Sequence, residues 1–291
     1  MNDTLKIEDL SKTFGRKKVL QRLNLSLEKG KVCGLLGLNG EGKTTLIRIL
    51  LGVIPRDAGR VIYDGQPVKF ADAAYKRTIG YIAEENIFYG RMTVRELLRF
   101  NAAFYPSWSG RKAEDYLGRF GLAGRDRIRT LSRGQKLKLG CVVALAASPG
   151  LLLLDDPTSG LDVPTRQDFL RNIIREITEG GTTVLFASHQ VHELEKVIDR
   201  LAILHGGRLV LDVDYEDFRS KIKKVSLAVT PEKLEKVKVE GIVSQRSSTD
   251  GCELIVYPWN EKKEKTLAAV SHTPIETSVP SLEEIFVGYV S

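Results

Sequence analysis

The chain has 291 residues, a net charge of +7, 42% hydrophobic and 28% charged residues, and three widely spaced cysteines, Cys33, Cys141 and Cys252. These values exclude a disordered, collagen-like or disulfide-stapled protein, leave room for about two domains, and point to reduced thiols in a cytosolic compartment. The longest uninterrupted apolar run, Cys141 to Ala147, falls far short of the ~20 residues a membrane span needs, and Met1 to Leu10 has no apolar core behind a basic start, so secretion is not expected.

Residues 1 to 209 alternate short apolar runs with longer amphipathic stretches, as an α/β domain with a largely parallel sheet should. Strands are expected at Leu5 to Leu10, Leu23 to Leu27, Lys31 to Leu36, Arg60 to Tyr63, Ile79 to Ile82, Leu151 to Leu154, Thr183 to Ala187 and Leu201 to Leu204. Leu151 to Leu154 is apolar throughout, the pattern of a strand buried on both faces. Between Ile82 and Leu151 the text turns helical, at Val94 to Phe104, Arg111 to Phe120 and Gly134 to Ala147, which predicts a helical insertion over about residues 86–148. A boundary is expected near 212, where the acidic stretch Asp212 to Asp217 precedes a new alternation.

Beyond it the order reads strand (Val225 to Val229), helix (Pro231 to Lys236), two strands (Ile242 to Arg246, Cys252 to Val256), helix (Glu261 to Val270), strand (Ile275 to Val279). That βαββαβ order suggests a small ferredoxin-like α+β domain over 213–291, with a flexible loop at Ser244 to Gly251 and a last helix opening at the N-cap Ser281. The charge divides unevenly: 33 Lys/Arg against 23 Asp/Glu in residues 1–209, and 11 against 14 in the remainder. The positive first part suits a polyanion, which charge alone does not identify.

After the strand Lys31 to Leu36 comes Gly37-Leu38-Asn39-Gly40-Glu41-Gly42-Lys43-Thr44-Thr45, which fits G-x-x-x-x-G-K-T and runs into a helical pattern. Such a loop wraps backbone N–H groups around a β-phosphate, with Lys43 reaching the β- and γ-phosphates and the Thr44 hydroxyl reaching Mg²⁺. The run Leu151 to Leu154 ends in Asp155-Asp156-Pro157, placing two acids at the carboxyl rim of a parallel sheet. Asp155 is the expected Mg²⁺ carboxylate, and Asp156 the residue that orients or deprotonates an attacking water.

With these elements the chain resembles the nucleotide-binding subunits of the ATP-binding cassette superfamily. Leu131-Ser132-Arg133-Gly134-Gln135, 23 residues before Asp155 counted from Ser132, is similar to the family signature L-S-G-G-Q. Ser159-Gly160-Leu161-Asp162 resembles the D-loop, and His189 the switch histidine that contacts γ-phosphate. Phe14 occupies the position of the aromatic that stacks on adenine, and as a core residue it would look the same.

The resemblance implies a RecA-like P-loop NTPase core with an antiparallel β subdomain and the helical insertion, occupying residues 1–212. It implies two ATP molecules sandwiched between two subunits, homodimer or heterodimer. Phe14, Gly37, Asn39, Gly40, Gly42, Lys43, Thr44 and Thr45 of one subunit would bind nucleotide. Ser132, Gly134, Gln135 and Asp162 of the facing one would complete the site. Thr44, Asp155 and Glu84 would hold Mg²⁺, and Asp156, His189 and Glu84 would serve hydrolysis.

Three positions depart from the usual pattern. Asp156 stands where Glu is common, drawing the carboxylate back by about 1.5 Å. Glu84, in Tyr81-Ile82-Ala83-Glu84-Glu85, replaces the Gln that approaches Mg²⁺ and the transport subunit. Arg133 replaces a signature glycine, its guanidinium directed to an opposite nucleotide or to solvent.

Glu84 and Arg133, with Tyr105 to Trp108 and the tail Pro280 to Phe286, are similar to a subset of bacterial exporters. The expected partner is therefore an integral-membrane transporter subunit, docking near Glu84 to Tyr89, where Ile87, Phe88 and Tyr89 form an apolar cluster. The chain would lie in the cytoplasm, peripheral on the inner face of the cell membrane. No nucleic acid is expected. The alternatives are an ATPase of the same fold acting on nucleic acid or the ribosome, and a regulatory cassette with little turnover.

Overall fold

The computed structural model describes residues 3–174, 177, 180–229, 234, 239–248, 251–271 and 275–291. Strands β1 (Asp3–Phe14) and β2 (Lys17–Glu28) pair as a long antiparallel hairpin whose inward positions, among them Leu5, Ile7, Leu23 and Leu25, are buried. The chain leaves it through β3 (Val32–Leu36), forms helix α1 (Lys43–Leu50), and returns with β4 (Ala58–Tyr63) and β5 (Gln66–Pro67) to give a sheet of order β2-β1-β4-β5.

A short helix α2 (Ala73–Lys76) leads into the second sheet, built from β3, β6 (Ile79–Ile82), β7 (Leu151–Asp155), β8 (Thr183–Ser188), β9 (Arg200–His205) and β10 (Arg208–Asp214). Its order is β10-β9-β3-β8-β7-β6, parallel apart from β10. Every residue of β3, β7 and β8 is buried, because layers cover both faces. Period-2 alternation splits β7 between two cores. Leu151 and Leu153 pack with the antiparallel sheet, and Leu152 and Leu154 with the helices opposite.

Between β6 and β7 lie α3 (Val94–Ala102), α4 (Gly110–Phe120) and α5 (Arg133–Ala146). They bury a core of their own that includes Val94, Leu97, Leu117 and Val142. Helix α5 is buried on two sides, Leu139 and Val142 facing α3 and α4 while Leu137 and Cys141 face the parallel sheet. That double burial fixes the insert against the strands carrying the acids. The turn after β7 leads into a helix, Val163–Asp168, that continues as a π-helix, Phe169–Ile174.

Position 212 falls inside β10, and the core continues beyond it through Tyr215 and Phe218 of the helix Tyr215–Lys221 and through Ile222. The third sheet, β11 (Lys223–Leu227), β12 (Ile242–Ser248), β13 (Gly251–Val256) and β14 (Glu276–Ser278), is antiparallel throughout, in the order β12-β13-β11-β14. The helix Glu261–Val270 covers one face, with Leu267 in the shared core. The expected loop at Ser244 to Gly251 is corrected: Ser244 to Ser248 and Gly251 are paired strand, and residues 249–250 lie outside the described residues. A polar edge strand lacks the apolar alternation that marks a strand in sequence. Of the helix expected at Pro231 to Lys236, only Leu234, buried in this core, lies within the described residues.

The C-terminal helix, Leu282–Val290, starts with a capping box between Ser281 and Glu284 and sends Leu282, Ile285 and Phe286 into the core of the parallel sheet. Glu284 also meets Lys224 of β11 at 2.9 Å, and this hydrogen bond, aided by the Ser281 N–H, holds its pKa down at about 2. The stabilisation is therefore present above the ordinary carboxylate value of 4.5 and is lost as pH falls through about 2. Melting curves should show a gap between the protein and Glu284→Gln that is constant above pH 5 and closes below pH 4, a range spanned by the two values about 2 and 4.5.

Candidate active site

The glycine loop is shaped by packing. Gly42 caps α1 with φ +110°, and a Cβ there would press on Val19 and Leu20 of β2 at 3.0 Å each. Lys43 is buried, and its Nζ donates to the carbonyl oxygens of Gly37 (2.7 Å) and Leu38 (3.3 Å). Burial pushes its pKa below the usual lysine range, against the pull of Asp156 and Asp155. Terminal phosphates placed at this loop would restore that charge. Thr45 is half-buried in α1, while Asn39 and Gly40 are exposed on the lip of the loop.

The Thr44 hydroxyl donates to Asp155 Oδ1 at 3.0 Å, joining the loop after β3 to the end of β7. Burial raises the Asp155 pKa, with the Thr44 hydrogen bond opposing it. A hydroxyl and a buried carboxylate are hard oxygen donors in want of a compensating positive charge, so the pair fits a divalent cation. Asp156 adopts φ +45°, a conformation Asp tolerates better than most side chains, and its N–H donates to Ala187 O at 2.9 Å. Its Oδ1 accepts the His189 backbone N–H at 3.1 Å and lies 2.9 Å from His189 Nδ1. Its Oδ2 stands 4.0 Å from Lys43 Nζ. Lys43, Thr44, Asp155, Asp156 and His189 thus converge at the carboxyl ends of β3, β7 and β8.

Beneath them sits a group absent from the sequence reading. Glu193 is completely buried, accepts from the hydroxyls of Thr158 and Ser188, and forms a 3.2 Å ion pair with Arg166. Arg166 also donates to Leu161 O at 3.1 Å. The cluster ties the His189 segment to the turn after Asp156. In sequence, Glu193 sits in a charged stretch that reads as a solvated helix, and no local signal marks its burial. Glu193→Ala should destabilise the protein by about 3 kcal/mol, since it leaves Arg166 without its buried partner. Urea denaturation of the two proteins measures the difference.

Other expected site residues stand apart from this centre. Glu84 is exposed at the end of β6, where its Oε1 accepts the Ser159 hydroxyl at 3.1 Å. Ser132 and Gln135 form a reciprocal capping box at the start of α5, with bonds of 3.2 and 2.9 Å, and Gly134 follows Arg133 in its first turn. Among the described residues no hydrogen bond joins them to the loop of Lys43. Asp162 is exposed just ahead of Val163–Asp168. Phe14 is 48% exposed beneath the Lys12 ammonium, which settles its core alternative in the negative. Arg133 is exposed, as its solvent direction requires. Its guanidinium packs on Gly160 so closely that a Cβ there would overlap it, which ties the signature to the D-loop.

The apolar cluster at Ile87 to Tyr89 is corrected at one residue. Phe88 packs into the helical insert, whereas Ile87 and Tyr89 are 85% and 62% exposed. Phe100 and Phe104, which the helical periodicity did not single out, extend the exposed surface through edge contacts with Tyr89 and with each other.

A phosphate-cradling loop, a lysine and two strand-end carboxylates on a parallel sheet define a P-loop nucleotide hydrolase with an inserted helical unit. The model of the ABC transporter family matches residues 20–159. The chain is 28% identical over 284 residues to the ABC transporter ATP-binding protein YtrB of Bacillus subtilis (strain 168), with 97% of each chain covered. It is 33% identical over 214 residues to the lantibiotic transport ATP-binding protein SrtF of Streptococcus pyogenes, covering 73% of this chain and 91% of that one. A solved ATP binding subunit of an ABC transporter superposes with a TM-score of 0.68 at 28% identity, over 75% of this chain and 92% of its own. The chain belongs to the ATP-binding subunits of the ABC transporter family and is an ATPase. Among the described residues no helix is long and apolar enough to cross a membrane.

Proposed function

We propose that this ATPase drives an exporter by closing and reopening a pair of cassettes beneath a separate integral-membrane subunit, at the cytoplasmic face of the membrane. The observation that carries this reading is the convergence of Lys43, Thr44, Asp155, Asp156 and His189, with the Ser132–Gln135 helix start exposed elsewhere on the same chain. Half of a composite site is thus offered to a second copy. A family relative named for lantibiotic transport supports the transport role.

The backbone N–H groups of Gly37 to Lys43 and the Lys43 ammonium would grip the phosphates of ATP, and Phe14 would flank the base. Thr44 and Asp155 would hold Mg²⁺, with Glu84 in electrostatic reach of Asp155, and the ion would supply charge neutralisation to the phosphates. Asp156 Oδ2, on the Lys43 side, would accept the proton of an attacking water, while His189 holds Oδ1. Ser132, Gly134 and Gln135 of the facing copy would cap the γ-phosphate with a helix N-terminus, and Asp162 would lie at the same junction. The strand order β12-β13-β11-β14 supports a ferredoxin-like accessory unit within residues 213–291, joined to the catalytic unit through Tyr215, Phe218 and the helix Leu282–Val290. The surface from Glu84 to Tyr89 would receive the membrane subunit.

Light scattering tests the pairing. Asp156→Asn mixed with ATP and Mg²⁺ should double in mass, and Ser132→Arg in the same background should stay single. A chain that binds ATP yet never pairs would refute the shared site.

A further inference from the structure

The helical insert is strongly basic: residues 86–148 contain twelve Lys and Arg against four Asp and Glu. Six of these are exposed arginines that the fold gathers from two stretches of sequence, Arg91, Arg95 and Arg99 on one and Arg125, Arg127 and Arg129 on the other. The stretches run antiparallel, laced by Arg129 N–H to Gly90 O (3.2 Å), Ile128 N–H to Met92 O (3.0 Å), Val94 N–H to Asp126 O (3.0 Å) and Arg95 N–H to Gly124 O (2.9 Å). Arg127 Nη1 donates to Arg91 O at 2.8 Å, and the Arg95 guanidinium lies against Gly124.

Of the two carboxylates in the same stretches, Glu96 is hydrogen-bonded in the capping box of α3 with Thr93 and also feels the charges of Arg127 and Arg99. Asp126 is left as the only other negative charge in these stretches. The exposed Tyr89–Phe100–Phe104 cluster lies on the same segments, Tyr89 just ahead of the first stretch and Phe100 next to Arg99 in the sequence of α3.

We propose that this patch is the charged part of the docking surface and that its occupant is an acidic, apolar-tipped cytoplasmic segment of the membrane subunit. The proposal rests on the transporter reading above and adds the chemistry of the partner. Six guanidiniums held together repel one another, and a partner of opposite charge relieves that repulsion. All six are arginine, whose planar fork matches fixed carboxylates bidentately, whereas attraction to a fluid anionic lipid surface is served equally by lysine. Arginine beside exposed aromatics is also the composition of protein–protein hot spots.

The test uses the full chain, affinity-tagged in the cells that encode it and recovered from detergent-solubilised membranes. Arg99, Arg125 and Arg129 are the residues to change, because Arg95 and Arg127 brace the two stretches. Arg99→Glu/Arg125→Glu/Arg129→Glu should lower recovery of the polytopic subunit at least about tenfold with an unchanged melting temperature. The single variants Arg125→Lys and Arg129→Lys keep the charge and add an amine, so a zero-length carbodiimide should couple them to Asp or Glu of that subunit.

Unchanged recovery after the charge reversal, with no carbodiimide product, would overturn the proposal while leaving the transporter reading intact. So would unchanged recovery together with lost binding to phosphatidylcholine vesicles containing phosphatidylglycerol, which would assign the patch to lipid. Absence of any polytopic subunit with the unaltered chain would defeat both readings together.

Discussion

Lys43→Ala should abolish measurable ATP hydrolysis and weaken ATP binding about a hundredfold. The ammonium is held inside the loop by the carbonyls of Gly37 and Leu38, at the point where terminal phosphates enter. Charge-assisted hydrogen bonds to phosphate contribute about 1.5–3 kcal/mol each, which at the upper end corresponds to that loss of affinity. Removing the side chain also strips Asp155 and Asp156 of their nearest buried cation, adding repulsion against an anionic ligand. Titration calorimetry with ATP and a phosphate-release assay measure the two effects separately. Unaltered affinity would show that the nucleotide is gripped elsewhere.

Asp156→Asn should lower the turnover number about 10²–10⁴-fold, the range contributed by a positioned general base, while ATP still binds. Asparagine keeps the hydrogen bond from the His189 N–H but removes the basic oxygen facing Lys43. Asp156→Glu should retain activity, because its carboxylate reaches about 1.5 Å further toward the phosphates along the same direction. Steady-state rates of the three proteins decide the matter. Equal rates in all three would remove Asp156 from the proton transfer, and a natural protein as slow as Asp156→Asn would favour the regulatory cassette.

The two classes of residue tested here were legible in sequence for a plain reason. A glycine loop between strand and helix, and an apolar strand ending in acids, are local patterns whose geometry follows from a few consecutive residues. Leu151 to Leu154 could be read as a strand buried on both faces because every position is apolar, and its end then had to lie at the sheet rim. Ser132 to Gln135 could likewise be read as a helix start, and the capping box is what such spacing builds.

Other features depend on partners distant in sequence. Glu193 looks like any surface glutamate until Thr158 and Arg166 enclose it. Arg133 had two directions open to it, and the fold leaves it exposed with its guanidinium against Gly160 of the turn after β7. The strand expected at Ile242 to Arg246 runs on through the polar Ser247 and Ser248, which have no alternation to announce them and pair with Cys252 and Gly251 of β13.

By itself, the sequence determined the nucleotide chemistry, the strands that carry it and the family, since each rests on short-range spacing and apolar periodicity, whereas β10 and the helices Val163–Asp168 and Tyr215–Lys221 went unread. Only the tertiary structure decided which charges are buried in pairs, which aromatics remain uncovered, and that two segments carrying six exposed arginines are bonded side by side. Burial and proximity are properties of packed surfaces, and packing joins residues that the chain keeps far apart.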